Sequence, residues 1–260
     1  MRGHYKNTLH YPLMLVFILM AASRICPGAD SYWEKMTRDQ VVALIQQTPD
    51  GESPSLREKD FRGQDMSGID FKGADLFYTH MRGVNLTGAN FENASLNLAI
   101  MLDANLEGAN FRNAELNNTG MDGANLKNAD LSNAQLVAKM NKTNLEGAKL
   151  VNTRAGANMK NQSMGMIRTQ LDYANLSNAD LENADLSYCT LRFGNLQNAN
   201  LKGVDFTWCD LSKVNFTGAD LTGANLTDTK LTGTVFKNIT GRDSLIGVDR
   251  ARDLKSAVFD

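Results

Sequence analysis

The sequence predicts an all-β solenoid built from square coils. Large apolar residues recur at every fifth position, and sixteen consecutive members of this series, from Phe61 to Leu136, are all Leu, Phe or Met. A small residue, most often Ala, stands two places before most of them, and the other three positions are mainly polar. An α-helix needs apolar returns near 3.6 residues and a flat strand near 2, so neither explains the pattern. A chain that turns a corner every five residues does explain it.

A period of twenty residues lies above the period of five. Three consecutive twenty-residue segments, beginning at Met81, resemble one another along their length. Four sides of five residues close one square coil, so equivalent side chains stack at roughly 4.8 Å, the spacing of hydrogen-bonded strands. The stacking predicts columns of like side chains on two faces: Phe71, Phe91 and Phe111 on one, and Met81, Met101 and Met121 on another.

The repeated unit is clearest in the runs Ala-Asn-Leu-Glu-Gly at residues 104–108 and Ala-Asp-Leu-Ser-Tyr at residues 184–188. These units resemble the pentapeptide repeat family, whose pattern is A-(N/D)-L-x-x, and the resemblance covers residues 59–237. It implies a right-handed quadrilateral parallel β-helix of pentapeptide repeats, with the central residue and the small residue before it pointing inward. Small residues that alternate with large ones would fill a narrow interior.

Residues 1–29 have the features of a secretory signal peptide. They contain three basic residues and no acidic ones, and the apolar run between Tyr11 and Ala22 is too short to span a membrane. We expect export to the periplasm or the exterior, with no stable membrane anchor after cleavage, which could follow Ser23 or occur near Gly28. The alternative is a buried N-terminal core segment. Removing these residues changes the formal charge from −2 to −5.

Both ends of a solenoid must be covered. Residues 30–58 are expected to form an N-terminal capping helix and linker, because Thr37 and Gln40 have capping-box spacing ahead of a short amphipathic helix over residues 37–47. Residues 238–260 supply apolar material for a C-terminal cap. The alternative use of that apolar end is contact between two copies, so a homodimer through the C-terminal end stays open.

The five-residue frame is interrupted at about residues 137–169. Continuing the frame would place Glu146 in the interior, where an unpaired charge is costly. A shift by one residue buries apolar residues instead: Met140, Leu145, Leu150 and Ala155. We therefore expect displaced coils and then a loop near residues 156–169, before the original frame returns at Met166 or Leu171.

The sequence contains no catalytic or metal-binding constellation. Its three His and three Cys are scattered, and a filled solenoid offers no concave site in which titratable groups converge. We expect a protein that is not an enzyme and that holds no cofactor or metal, with a solvated His80. Cys189 and Cys209 occupy small positions twenty residues apart and so stack in adjacent coils, close enough for a disulfide. The sequence leaves both a disulfide and two buried free thiols open.

Two groups of residues are candidates for binding a partner. The first is a basic segment: Lys139, Lys142, Lys149, Arg154, Lys160 and Arg168. The second is an exposed aromatic patch, outward-facing and stacked on two neighbouring faces: Tyr173, Tyr188, Phe193 and Trp208. A soluble monomer normally covers such a patch or uses it. The alternatives are that the segment is a solvated insertion and that the loop near residues 156–169 folds over the aromatic residues.

We expect an exported scaffold that binds an unknown protein or a glycan through these two groups. The family resemblance also implies an alternative, the branch that protects gyrase, whose members resemble duplex DNA in shape and charge. DNA carries one negative charge per about 1.7 Å, whereas acids only slightly outnumber bases over residues 61–236. The small net charge also argues against nucleic acid as a partner. The sequence therefore favours the scaffold.

Overall fold

The computed structural model describes residues 32–157 and 168–260. The chain divides into two compact units, Met1–Glu34 and Lys35–Asp260, and the second contains the repeats. The signal peptide predicted for residues 1–29 lies outside the described residues. Within the part of the chain that the structure describes, no helix has the length and apolar character needed to cross a membrane.

Each five-residue repeat supplies one side of a coil. The core position holds the large apolar residue, the small position lies two residues before it, the bridging position lies between them, and two corner positions follow. The core amide donates to the next coil, as Leu106 does to the Asn125 carbonyl oxygen at 2.7 Å. The bridging amide donates to the previous coil, as Asn125 does to the Ala104 carbonyl oxygen at 2.9 Å. Adjacent coils are thus joined in the manner of parallel strands.

The corners are tight turns that depend on the second corner position. The amide of the next small residue donates back to the core carbonyl oxygen, as Ala94 does to Phe91 at 3.0 Å. Asn93, at the second corner position between them, has a φ of 59°. A positive φ at the third residue is typical of type II turns and favours Gly or Asn. This requirement explains why Gly and Asn recur at this place in the repeat.

Asparagine at the bridging position stabilises both the corner and the stack of coils. The Asn125 side-chain oxygen accepts from the Lys127 amide at 3.3 Å, which closes an Asx turn. Its Nδ2 donates to Asn105 Oδ1 at 3.1 Å, and Asn144 Nδ2 donates to Asn125 Oδ1 at 3.1 Å. Amide ladders of this kind are known from stacked strands. The Asn or Asp of the repeat therefore has a structural cause.

Four faces, A to D, follow one another around each coil. Each face is a column of bridging residues that pair from coil to coil. The columns run from Ser55 to Ile246 on face A, from Asp60 to Arg252 on face B, from Asp65 to Val235 on face C and from Asp70 to Thr240 on face D. Corner residues between faces A and B form the AB corner, and those between faces B and C form the BC corner.

The core is a stack of like side chains. The predicted aromatic column is present, because the Phe91 ring centroid lies 5.0 Å from that of Phe71 and 4.8 Å from that of Phe111. All three rings are fully buried. Threonine replaces alanine at some small positions, and its hydroxyl finds a backbone partner: Thr119 Oγ1 donates to the Leu96 carbonyl oxygen at 3.0 Å. These buried hydroxyls therefore keep a hydrogen-bond partner inside the solenoid.

The bridges follow the frame shift that the sequence predicts. Asn144 pairs with Asn125 at a separation of 19 residues, and Asn175 pairs with Asn144 at a separation of 31. One coil is therefore a residue shorter than the usual twenty, and the next is eleven residues longer. The two departures together amount to two whole repeats, which is why Leu171 lies at a core position of the original frame.

Strand β1 (Glu34–Lys35) and helix α1 (Arg38–Gln47) precede strand β2 (Lys59–Asp60). The predicted capping box is formed: Thr37 Oγ1 accepts from the Gln40 amide at 3.3 Å, and Gln40 Oε1 accepts from the Thr37 amide at 2.8 Å. The apolar side of this region belongs to the core or packs against it: Met36, Val41, Val42, Leu44 and Ile45.

The last coil is irregular. Three short 3-10 helices replace the regular repeats: Arg242–Ser244, Val248–Arg250 and Leu254–Ser256. Strand β3 (Val235–Phe236) pairs in parallel with strand β4 (Val258–Phe259). The Phe259 ring stacks on that of Phe236 at 4.9 Å, and Phe236 is 1% exposed. The final regular coil is therefore covered by the end of the chain.

Candidate functional site

Two aromatic stacks flank face B. Tyr188 and Trp208 occupy the AB corner in consecutive coils, with ring centroids 6.4 Å apart and ring planes 4° apart. Tyr173 and Phe193 occupy the BC corner, with centroids 4.7 Å apart and planes 2° apart. The stacking predicted from the twenty-residue spacing is confirmed. We call these pairs the AB stack and the BC stack.

All four aromatic residues have a backbone conformation that bulky residues avoid. Their φ angles are 62° for Tyr173, 62° for Tyr188, 60° for Phe193 and 61° for Trp208. The left-handed region costs most L-residues roughly 1–2 kcal/mol, whereas Gly and Asn occupy it more readily. Most other described residues with a positive φ are Gly or Asn. The aromatic residues therefore occupy these corners against the local preference of the backbone.

Three of the four aromatic side chains are well exposed: Tyr173 by 55%, Trp208 by 46% and Phe193 by 43%. Tyr188 is partly buried, so the expectation of four exposed aromatic residues is wrong for this residue. Its ring lies against that of Trp208 within the AB stack. Because the rings of each stack face one another, one face of each ring is turned away from solvent.

A cation covers one end of each stack. Lys213 Nζ lies 4.9 Å from the Phe193 ring centroid, and Arg252 Cζ lies 5.8 Å from that of Trp208. Both distances are within the range of cation–π interactions. Lys213 follows Phe193 by twenty residues, so the period could have revealed it. Arg252 belongs to the irregular last coil, which the period does not describe.

An ion pair lies beside the BC stack. Arg192 Nε donates to Asp172 Oδ2 at 2.9 Å, and Arg192 Nη2 contacts the same oxygen. The Arg192 amide donates to Asp172 Oδ1, also at 2.9 Å. The hydrogen bond from Arg192 to Asp172, followed by the charge of that carboxylate, raises the pKa of Arg192 above its usual value. Asp172 is buried, so its charge is fixed in place and compensated.

The basic segment does not form one surface. Its members on the described coils lie in different places: Lys139 on face B, Lys142 at the BC corner, Lys149 on face D and Arg154 on face A. Residues five apart occupy successive sides of a square coil, which separates them. Arg168 is exposed and directly precedes the small-position residue Thr169, as Tyr188 precedes Cys189 one coil later. Lys160 lies outside the described residues.

Eight copies of the pentapeptide repeat match the chain, over residues 55–93, 104–137, 166–203 and 199–238, which together make up more than half of it. The chain belongs to the pentapeptide repeat family. Pentapeptide repeat proteins form right-handed quadrilateral β-helices and are generally structural or binding proteins rather than enzymes. In the described portion of this family member, no group of His, Cys, Asp and Glu residues is placed to hold a metal ion.

Several solved structures are similar to this pentapeptide repeat protein. HetL, involved in heterocyst differentiation regulation in the cyanobacterium Nostoc sp. strain PCC 7120, is 27% identical over 85% of this chain and 94% of its own, with a TM-score of 0.45. QnrB1, a plasmid-mediated fluoroquinolone resistance protein, is 20% identical over 79% and 89%, with a TM-score of 0.42. Rfr23 from the cyanobacterium Cyanothece 51142 is 27% identical over 47% and 91%, with a TM-score of 0.29. The chain matches no curated protein.

Two thiols lie inside the wall of this pentapeptide repeat protein, at the AB corner. Cys189 and Cys209 are free and fully buried. Cys209 Sγ donates to the Leu186 carbonyl oxygen at 3.0 Å, and Cys189 Sγ donates to the Ala155 carbonyl oxygen at 3.4 Å. Burial, and then the neighbouring Cys189, raises the pKa of the Cys209 thiol well above its usual value. A thiol in this state is a poor nucleophile.

The prediction of a solvated His80 is wrong. His80 is 4% exposed, and Asp60, its bridge partner in the previous coil, is 2% exposed. Arg62 Nη2 donates to Asp60 Oδ2 at 2.8 Å. Burial is the largest single influence on the pKa of Asp60, and it raises that pKa. The hydrogen bonds and the charge of Arg62 act in the opposite direction and together bring the pKa of Asp60 below its usual value. A bridging residue points away from the core, yet pointing outward from a coil does not make it exposed.

Proposed function

We propose that this protein is a non-enzymatic, exported scaffold that binds another protein through the AB and BC stacks. The observation that carries the proposal is that bulky aromatic residues, three of them well exposed, occupy corners whose left-handed backbone favours Gly or Asn. Conformations of this kind cluster at functional sites, where the surrounding structure holds them in place. The neighbouring coils hold these corners, as the amide of Trp208 donates to the Thr227 carbonyl oxygen at 3.1 Å and that of Tyr173 to the Arg192 carbonyl oxygen at 2.8 Å.

The packing of the rings favours a protein over a glycan as the partner. A sugar ring binds an aromatic side chain through the ring face, where the negative π-system attracts C–H groups. The ring centroids of Tyr173 and Phe193 are 4.7 Å apart, which closes the facing sides to a sugar, and Lys213 Nζ lies over the Phe193 ring. The exposed edges of these rings suit the mixed side chains of a protein surface.

The pairing of charges supports the scaffold over a DNA mimic. Basic residues compensate acidic residues of the next coil at short distances: Lys72 with Glu92 at 3.1 Å, Lys127 with Glu146 at 3.2 Å and Lys202 with Asp220 at 3.3 Å. Duplex DNA presents one uncompensated charge per about 1.7 Å. A surface with alternating signs is a poor imitation of that field.

Export is the second part of the proposal, and its support is the sequence of residues 1–29. This stretch joins basic residues to an apolar run and contains no acidic residue. The proposed place of action is therefore the periplasm or the exterior of the cell.

Affinity capture with matched variants tests the scaffold. Immobilised mature protein is exposed to a periplasmic extract and a culture supernatant, as wild type and as the double variant Phe193→Asn/Trp208→Asn. Asparagine suits a left-handed corner, so the double variant should fold and lose the partner. The control is Leu98→Asn, which changes another apolar corner residue, with a φ of 65°, in a coil that carries neither stack.

Retention of one protein by the wild type and by the Leu98 variant, but not by the double variant, would support the proposal. Retention of the same proteins by all three forms would contradict it. Capture of a polysaccharide in place of a protein would contradict the choice of partner.

A further inference from the structure

We propose that the partner presents an acidic surface to face B, and that Lys142, Lys213 and Arg252 select it. This inference rests on the proposed function, because it names the chemistry of the partner that the same stacks bind. It assigns charge recognition to residues at the ends of the stacks.

The BC stack lies between two lysines. Lys142 precedes Tyr173 by one coil at the BC corner, and its amide donates to the Asp172 carbonyl oxygen at 2.8 Å. Lys213 follows Phe193 by one coil, with its ammonium over the ring. Lys142 and Lys213 are both exposed, with φ angles of 60°. The BC corner is therefore a row of one cation, two aromatic rings and a second cation.

The AB corner has a similar arrangement. Arg252, a bridging residue of face B, covers the Trp208 ring at one end, and its Nε donates to the Asp228 carbonyl oxygen at 3.1 Å. The Asp228 carboxylate, which follows Trp208 by one coil in the AB corner, is bound by Arg250 at 2.7 Å. Arg168, exposed, stands one coil before Tyr188. Aromatic rings with a cation beside them therefore border face B on both sides.

The acidic residues between the two stacks are already compensated. Asp172 is bound by Arg192, and Asp210 lies 4.0 Å from Lys230 Nζ. Lys142 and Lys213, by contrast, have no carboxylate within ion-pair distance among the described residues. The surface between the two stacks is therefore left with an excess of positive charge.

The rings add to this positive character. An aromatic ring is negative on its faces and positive at its edge. The faces within each stack are turned toward each other, so edges point outward alongside the cations. Carboxylates suit both the edges and the cations, and a protein surface rich in Asp and Glu fits this face better than a neutral or basic one.

Binding of defined peptides tests the inference. The probes are a fluorescein-labelled peptide of alternating glutamate and leucine, and a matched peptide of alternating lysine and leucine, each measured by fluorescence anisotropy at low and high salt. The glutamate peptide should bind the wild type, the lysine peptide should not, and added salt should weaken binding. Charge reversal by Lys142→Glu/Lys213→Glu should lower the affinity for the glutamate peptide about tenfold or more, because attraction becomes repulsion.

Lys149→Glu is the matched control, since it reverses an exposed lysine of the Lys142 coil on face D and should leave binding unchanged. Equal binding of both peptides, equal loss in the control, or preference for polygalacturonate or an oligonucleotide would overturn the inference. The charge-reversed protein is also used in the affinity capture. If the captured partner is lost with Phe193→Asn/Trp208→Asn but is retained by the charge-reversed protein, the proposal of an acidic partner is overturned and the proposed scaffold stands.

Discussion

At the scale of the residue, the second corner position decides how costly each turn is. Asn93 fits its left-handed conformation, and Gly occupies the equivalent place in many other repeats. Aromatic residues and lysines are not favoured in this left-handed conformation, so the corners beside face B that carry them differ from the corners that carry Gly or Asn. We therefore expect that replacing such a residue by Asn raises the free energy of unfolding.

We expect Lys142→Asn to raise the free energy of unfolding by about 1 kcal/mol, because asparagine tolerates a positive φ better than lysine does. Lys142 is exposed and has no ion-pair partner among the described residues, so little is lost with its side chain. Urea denaturation followed by circular dichroism measures the change. Lys237→Asn is the control, because Lys237 is exposed and lies at a first corner position without a positive φ. An unchanged or lower midpoint for Lys142→Asn would contradict the strain at this corner.

At the scale of the element, the coils tolerate an insertion because it begins and ends at one corner. Ala155 fills the last core position before the insertion, and Leu171 fills the first one after it. The long separation of 31 residues exceeds a regular coil by eleven. The added residues thus interrupt neither the core nor the bridges on either side.

Deleting residues 157–167 should restore a regular coil. Ala155 and Leu171 would then be five residues apart, with Gly156 and Arg168 at the two corner positions. We expect a cooperative thermal transition with stability within about 1–2 kcal/mol of the wild type, the main cost being Arg168 in a left-handed corner. Circular dichroism melting measures it.

A deletion of equal length within regular repeats, residues 92–102, is the control. It removes the core residues Leu96 and Met101 and displaces the following repeats to other faces, so it should be strongly destabilising. Equal stability of the two deletions, or unfolding of the first, would contradict the role given to the insertion.

At the scale of the whole molecule, the ends decide whether copies associate. Ile246 is 54% exposed and Val258 is 43% exposed on the last coil. Charged residues are interspersed among them: Arg242, Asp243, Asp249, Arg250, Lys255 and Asp260. Terminal repeats of solenoids are polar on the outside for solubility, and this composition is of that kind. We therefore expect the C-terminal end to act as a cap, against the homodimer that the sequence leaves open.

Mass spectrometry of the natively expressed, exported protein tests this together with the signal peptide. We expect a native mass of one chain whose first residue lies between Arg24 and Ser31.

Denatured and unreduced protein should show two free thiols at Cys189 and Cys209, and a disulfide would lower the mass by two hydrogen atoms. A dimer that dissociates in Val258→Lys would contradict the cap. A chain that retains Met1 in the cytoplasm would contradict export.

The sequence by itself determined the repeat and everything that the repeat carries from one coil to the next. The core place of Phe91, the turn at Asn93 and the stacking of Tyr173 on Phe193 follow from the periods of five and twenty, because one local rule and one translation generate them. The frame shift after Leu136 could be inferred in the same way, since a single misplaced Glu146 would be costly in the interior.

Only the tertiary structure decided which outward residues are exposed and which charges meet them. Arg252 covers Trp208 from a coil without regular repeats, and His80 and Tyr188 are less exposed than their positions indicate. The basic segment is divided among faces because a square coil turns between its members. A period fixes the direction of a side chain relative to its own coil, whereas exposure and pairing depend on what other parts of the chain bring to the same surface.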